Sequence, residues 1–149
     1  MKLIAHRGNI NGKNPKKENN PDYILDAIQM GYDAEIDVWY INNQFYLGHD
    51  EPQYQVTRAF LKDSRLWCHA KNFEALDEML RCEIHCFFHQ TDDCTLTSQC
   101  FIWVFPGKPL MSNAVCVMPE NADYSDQELL KCFAICTDQV ADYKRLIIP

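Results

Sequence analysis

Gly31-Tyr32-Asp33-Ala34-Glu35-Ile36-Asp37-Val38-Trp39-Tyr40 is the stretch on which the fold turns. Its β-branched and aromatic residues predict a strand over Ala34–Tyr40. The two-residue period of a strand puts the Glu35 and Asp37 carboxylates on one side of it. Upstream, Lys2–Ala5 reads as a short strand ending at His6-Arg7-Gly8, and Asn20-Pro21 opens a helix with Asn as cap and Pro at the first helical position. Ile24, Leu25 and Ile28 supply the expected buried stripe of that helix, and Gly31 ends it. Strand, helix, strand is the unit of a parallel α/β sheet.

Downstream the rhythm continues. Asn42-Asn43 turns the chain into a strand at Gln44–Leu47, and Leu66–Ala70 is the next strand. Asn72 caps a helix expected to carry Phe73, Leu76 and Leu80 on one face. Further strands are expected at Ile84–His89, Phe101–Phe105, Ala114–Met118 and Phe133–Thr137. Ser125-Asp126-Gln127-Glu128 has the spacing of a capping box before Leu129-Leu130. Segments 91–100 and 106–113 are too broken for full helices. About seven parallel strands result, whereas a complete eightfold barrel takes about 250 residues. The 149 residues therefore predict one α/β domain over 1–149: a compact or incomplete (β/α)8 TIM-type barrel with degenerate outer helices.

Composition agrees with a folded domain, at 47% hydrophobic and 23% charged residues. A net charge of −7 and a pI near 5.1 argue against nucleic acid or an anionic membrane as electrostatic partners. No run approaches the length of a membrane span, and Leu3-Ile4-Ala5 is far too short for an export signal. The eight cysteines fall mostly in apolar runs and are expected to be buried and reduced, which fits a cytoplasmic setting. Residues 1–17 hold Lys2, Arg7, Lys13, Lys16 and Lys17 and no acid. That segment is either a solvated basic loop or one that meets an anion such as phosphate.

Chemistry-bearing residues recur where strands end: His6-Arg7, Glu35 and Asp37, His49-Asp50, His69 and Lys71, His89-Gln90, Glu120, and Thr137-Asp138. The carboxyl edge of a parallel sheet is where sites are built. Two carboxylates on an inward face repel unless a cation or a basic partner joins them, and oxygen ligands suit Mg²⁺ or Ca²⁺. His6 and His49 are acid–base candidates, and Arg7 and Lys71 suit an anion. Cys82, His85, Cys86 and His89 lack the spacing of a zinc site. Trp67 and Trp103 are expected in the core, and Trp39 at a rim.

Taken in order, Ile4-Ala5-His6-Arg7-Gly8, Glu18-Asn19, Gly31 through Val38 and Gly48-His49-Asp50 resemble the signature of the glycerophosphodiester phosphodiesterases. That family sits within a wider group of barrel phosphodiesterases that includes phosphatidylinositol-specific phospholipase C and the spider-venom phospholipase D toxins. The matched run covers residues 4–50. His69-Ala70-Lys71 stands where the family has Glu-x-Lys, and Ile135-Cys136-Thr137-Asp138 resembles its final strand. The resemblance implies a metal-dependent phosphodiesterase acting on a small diester, with His6 and His49 as the acid–base pair. It makes Arg7 and Lys71 phosphate ligands, and Glu35, Asp37 and the residue at position 69 metal ligands. Glu18 and Asp50 become supporting contacts, while His89 and Glu120 are candidate substrate or supporting contacts from their places at strand ends. His69 in place of a Glu leaves Mg²⁺ or Ca²⁺ as the family's expectation and admits Zn²⁺ or Mn²⁺. A non-catalytic phosphate-binding barrel and a cyclising lyase on the same fold are the alternatives.

Overall fold

A computed structural model of the chain describes residues 1–147. Parallel pairing starts at β1 (Lys2–His6) and β2 (Asp33–Ile41), which are joined through α1 (Pro21–Gln29). Asn20 caps α1, its side chain accepting from the Asp22 and Tyr23 amides. The buried side of α1 is Ile24, Ala27 and Ile28, the i, i+3, i+4 spacing of one helix face. Leu25, expected in that stripe, is exposed.

β2 turns through Asn42-Asn43, both at positive φ, into β3 (Gln44–Leu47), which pairs with β4 (Tyr54–Val56). The turn is the left-handed pair that suits a two-residue hairpin. A short helix, α2 (Arg58–Leu61), capped by Thr57, leads to β5 (Leu66–Ala70). Then follow α3 (Phe73–Arg81), β6 (Cys86–Phe87), β7 (Cys94–Leu96), β8 (Ile102–Val104), β9 (Ala114–Val117), α4 (Asp126–Leu129) and β10 (Ala134–Thr137). The capping box at Ser125 and Glu128 is formed in full.

All ten strands share one curled, mixed sheet. The strands β6, β5, β2, β1, β10, β9 and β8 run parallel in that order, and β7 lies antiparallel on β8. The segment after β7 also reaches β6. Ser98 N–H donates to the Cys86 carbonyl at 2.8 Å, and Thr95 Oγ1 donates to the Phe88 carbonyl at 2.9 Å. Segment 91–100 thus holds a strand and a tie between the sheet's two ends. Ile4, Trp67, Phe87, Trp103, Val115, Ala134 and Cys136 fill the inside of the curl. Beneath them Lys2 Nζ pairs with Asp33 at 2.7 Å, and Trp67 Nε1 donates to the same carboxylate at 3.0 Å.

The outer layer is thin. α3 packs on β2, β5 and β6, burying Ala75 and Met79, with Leu76 partly covered. Phe73 and Leu80, expected with Leu76 on the packed face, are exposed. The small Ala75 lets the helix approach the sheet, and the face centred on Ala75 and Met79 is the one that docks. Among the described residues, no helix is long and apolar enough to cross a membrane.

Candidate active site

The site originates in a break along one edge of β2. β1 pairs with β2 only as far as His6 opposite Glu35, and β3 takes the same edge from Val38 onward. Between them the backbone groups of β2 need other partners. Arg7 N–H donates to the Glu35 carbonyl at 2.9 Å, and Gly48 N–H to the Asp37 carbonyl at 3.1 Å. The Asn19 side chain completes the edge: its Oδ1 accepts from Asp37 N–H and its Nδ2 donates to Asp37 Oδ2, both at 2.9 Å. Arg7 and Asn19 hold positive φ, and Asn19 N–H donates to the Arg7 carbonyl at 3.2 Å. The His6-Arg7 loop and the Glu18-Asn19 loop are thus locked onto the strand that carries both carboxylates.

Glu35 and Asp37 are buried, and β5 places His69 opposite Asp37 in register. One donor atom from each of Glu35, Asp37 and His69 lies within 4.8 Å of the others. His69 Nδ1 is 3.2 Å from Asp37 Oδ1 and 3.9 Å from Glu35 Oε1. The other ring nitrogen, Nε2, faces the His89 carbonyl at 3.3 Å, and the ring stacks on both Phe87 and His89. Assigned from those partners, Nε2 carries the proton and Nδ1 turns a lone pair toward two carboxylates. A second proton on the ring or a cation among the three groups resolves that meeting of lone pairs. Asp37 Oδ1 is buried without a well-aligned hydrogen bond, although Lys71 Nζ stands 3.5 Å away. Two carboxylates, an imidazole and a buried oxygen with unmet lone pairs fit a divalent cation.

Around this cluster, His6 Nδ1 meets Asp138 Oδ1 at 2.7 Å, while His6 Nε2 lies 3.8 Å from Glu35 Oε2. Asn9 Nδ2 bridges Asp138 at 2.7 Å and Glu18 at 3.1 Å. The Arg7 guanidinium is held by Glu18 at 3.1 Å and by Asp37 at 2.9 Å.

The electrostatics follow from this packing. Burial lowers the His6 pKa, but the Asp138 hydrogen bond and the Glu35 charge outweigh it, and the net direction is upward. Burial and the Asp37 charge push Glu35 up. For Asp37 burial acts upward and is overcome by a hydrogen bond from His69 Nδ1 once the ring carries its second proton, and by the Arg7 and Lys71 charges, which together hold it well below the usual carboxylate range. Burial, reinforced by His69, pushes His89 down to about 4.

A cleft of about 320 Å³ opens above the cluster. His6, Arg7, Glu35, His49, His69, Lys71 and His89 all border it, so seven residues singled out in the sequence are brought together. His49 stands on the loop after β3, its side chain 42% exposed, with Nδ1 2.7 Å from Asp50 Oδ1. Trp39 Nε1 donates to the Gly48 carbonyl at 2.7 Å and braces that loop. Gly48 is at positive φ, and a Cβ there would collide with the Glu51 carbonyl. Trp103, expected only in the core, also walls the cleft.

Glu18 is a buried support for Arg7 and Asn9, and the exposed Asp50 meets His49 beside the cleft. Glu120 does not reach the cleft. Met118, in the left-handed region, turns the chain away, and Glu120 accepts from Thr137 Oγ1 at 2.6 Å. The sequence alone assigns no role to Asn9 or Asn19 and gives Asp138 no partner. The signal for Asp138 is its place one step beyond the Ala5–Thr137 pair of β1 and β10, which sets it beside His6. A larger hollow of about 570 Å³ between the β3–β4 hairpin and α2 is bordered by no carboxylate, histidine or thiol.

No protein-family model, curated protein or solved structure matches the chain.

Proposed function

We propose that the chain is a metal-dependent phosphodiesterase, a phosphoric diester hydrolase built on a shortened (β/α) barrel. One observation carries the reading: two imidazoles, two buried carboxylates with a third imidazole, and two cations converge on one cleft formed by the carboxyl ends of β1, β2 and β5 and the loop after β3. The resemblance to glycerophosphodiester phosphodiesterases over residues 4–50 points the same way. Glu35, Asp37 and His69 would hold the cation. When bound, it would polarise the phosphoryl group and make a hydroxyl more acidic.

The remaining steps belong to the chain's own side chains. Arg7, pinned by Glu18 and Asp37, and Lys71 bind the non-bridging phosphate oxygens and stabilise the charge that grows on them. Asp138 fixes the His6 ring through Nδ1, leaving Nε2 toward the cleft, and Asp50 orients His49 in the same way. One imidazole takes the proton of the attacking hydroxyl at Nε2, and the other returns a proton to the leaving oxygen. Trp103 and Phe105 give one side of the cleft an apolar wall.

A panel of phosphodiesters assayed with EDTA, and again after adding back Mg²⁺, Ca²⁺, Mn²⁺ or Zn²⁺, tests this. Cation-restored turnover is expected. Phosphate binding with no turnover under any cation would leave a binding module instead.

A further inference from the structure

Two lobes of unlike character share Arg7 and His49 in their walls. The lobe above the cluster is walled by Trp103, Phe105, Val117, Met118 and His89. Phe105 is 40% exposed at its mouth and sits edge-on to His89 at 5.5 Å, while Trp103, 4% exposed, stacks on Phe87 beneath at 4.4 Å. The second lobe, of about 280 Å³, is bordered by Lys13, Glu18, Asn19, Asp50 and Gln53, a mixture of both charge signs and amides. An exposed phenylalanine beside apolar neighbours in a working cleft has surface to gain by covering itself. The charged lobe offers an apolar group nothing.

We infer that the cleft takes an unsymmetrical phosphodiester whose one ester arm is an aromatic or other flat apolar group, seated against Phe105, Trp103 and Met118. The phosphate then lies at the Arg7–His49 junction, and the second arm points into the polar lobe. Ring-on-ring contacts in offset or edge geometry add to what area burial alone provides, so flatness as well as apolarity is selected. This inference rests on the phosphodiesterase reading for the position of the phosphate.

Non-hydrolysable probes separate the two. The affinities of methylphenylphosphinate, cyclohexylmethylphosphinate and dimethylphosphinate, whose two arms are both joined to phosphorus through carbon, are measured by calorimetry on the full chain with Mn²⁺ present. The phenyl probe is expected to bind about tenfold more tightly than the dimethyl probe and more tightly than the cyclohexyl probe. Phe105→Ala, a truncation at an exposed position, should shrink the phenyl-to-methyl preference severalfold. Turnover of phenyl and methyl phosphodiesters is followed in parallel. Equal affinities for the three probes, or a preference untouched by Phe105→Ala, would overturn the inference even if diesters are cleaved. A Phe105-dependent preference without any turnover would uphold the inference and remove the catalytic reading. No binding of any probe would remove both.

Discussion

His69 points its Nδ1 at Asp37 Oδ1 across 3.2 Å while its Nε2 is committed to the His89 carbonyl at 3.3 Å. A flip of the ring would keep its plane against Phe87 but give up the contact with the His89 carbonyl. The donor set offered to a cation is therefore two carboxylates and one Nδ1, a mixture that suits borderline metals better than an all-oxygen set does.

From this follows the first prediction. Calorimetric titration should find Zn²⁺ and Mn²⁺ binding at least about tenfold more tightly than Mg²⁺ or Ca²⁺. His69→Glu should reverse that order, and Glu35→Gln should abolish binding of all four. An unchanged metal order in His69→Glu would show that His69 is not a ligand.

In the proposed reaction Asp138 works through His6, whose Nδ1 it holds at 2.7 Å. Replacing it with Asn removes the anion at Nδ1 and permits the ring to take the wrong tautomer. Asp138→Asn should lower kcat by about 10²-fold or more with little change in KM. Far-ultraviolet circular dichroism and melting behaviour should stay near wild type, since Asn retains the contact with Asn9. A loss confined to KM would place Asp138 in substrate binding instead.

His85 reports on pH. Its ring packs on Trp67 at 4.4 Å, its Nε2 has no partner, and burial pushes its pKa down to about 4. The ordinary value near 6.5 applies to the unfolded chain, so the unfolded state binds the proton more readily. The contribution of the neutral ring to stability is therefore fully present above pH 6.5 and is lost as pH falls toward 4. Denaturant unfolding at a series of pH values should show His85→Phe losing less stability over that window than wild type. Parallel curves for the two proteins would contradict this.

The thiols fall into distinct groups. Cys68, Cys86, Cys116, Cys132 and Cys136 are buried, Cys82 is partly covered, and Cys94 and Cys100 are exposed. Burial drives the Cys68 and Cys136 pKa values upward and pushes Cys116 up to about 12. Thiol titration of the native protein should label two cysteines quickly, and denaturation without reductant should expose all eight. Fewer than eight in denaturant would reveal a disulfide.

Local signals carried much of this molecule. The Asn20-Pro21 cap, the Asn42-Asn43 turn, the Ser125–Glu128 capping box and the alternation that sets Glu35 and Asp37 on one face were all legible. Each depends on residues within a few positions of one another. The cleft residues were legible as types at strand ends, before any distance was known. What the tertiary structure decided lies at long range. Asp138 reaches His6 across 132 residues through the β1–β10 register, and Asn19 stands in for a missing strand along β2. Phe73 and Leu80 have helical spacing with Leu76, yet the sheet chose Ala75 and Met79 because a small residue allows close approach. β4 and β7 carry too few residues to declare themselves, and exist because a neighbouring strand offers them an edge. A sequence states which side chains share a face; which faces meet is settled by packing, where partners far apart in the chain compete for the same surface.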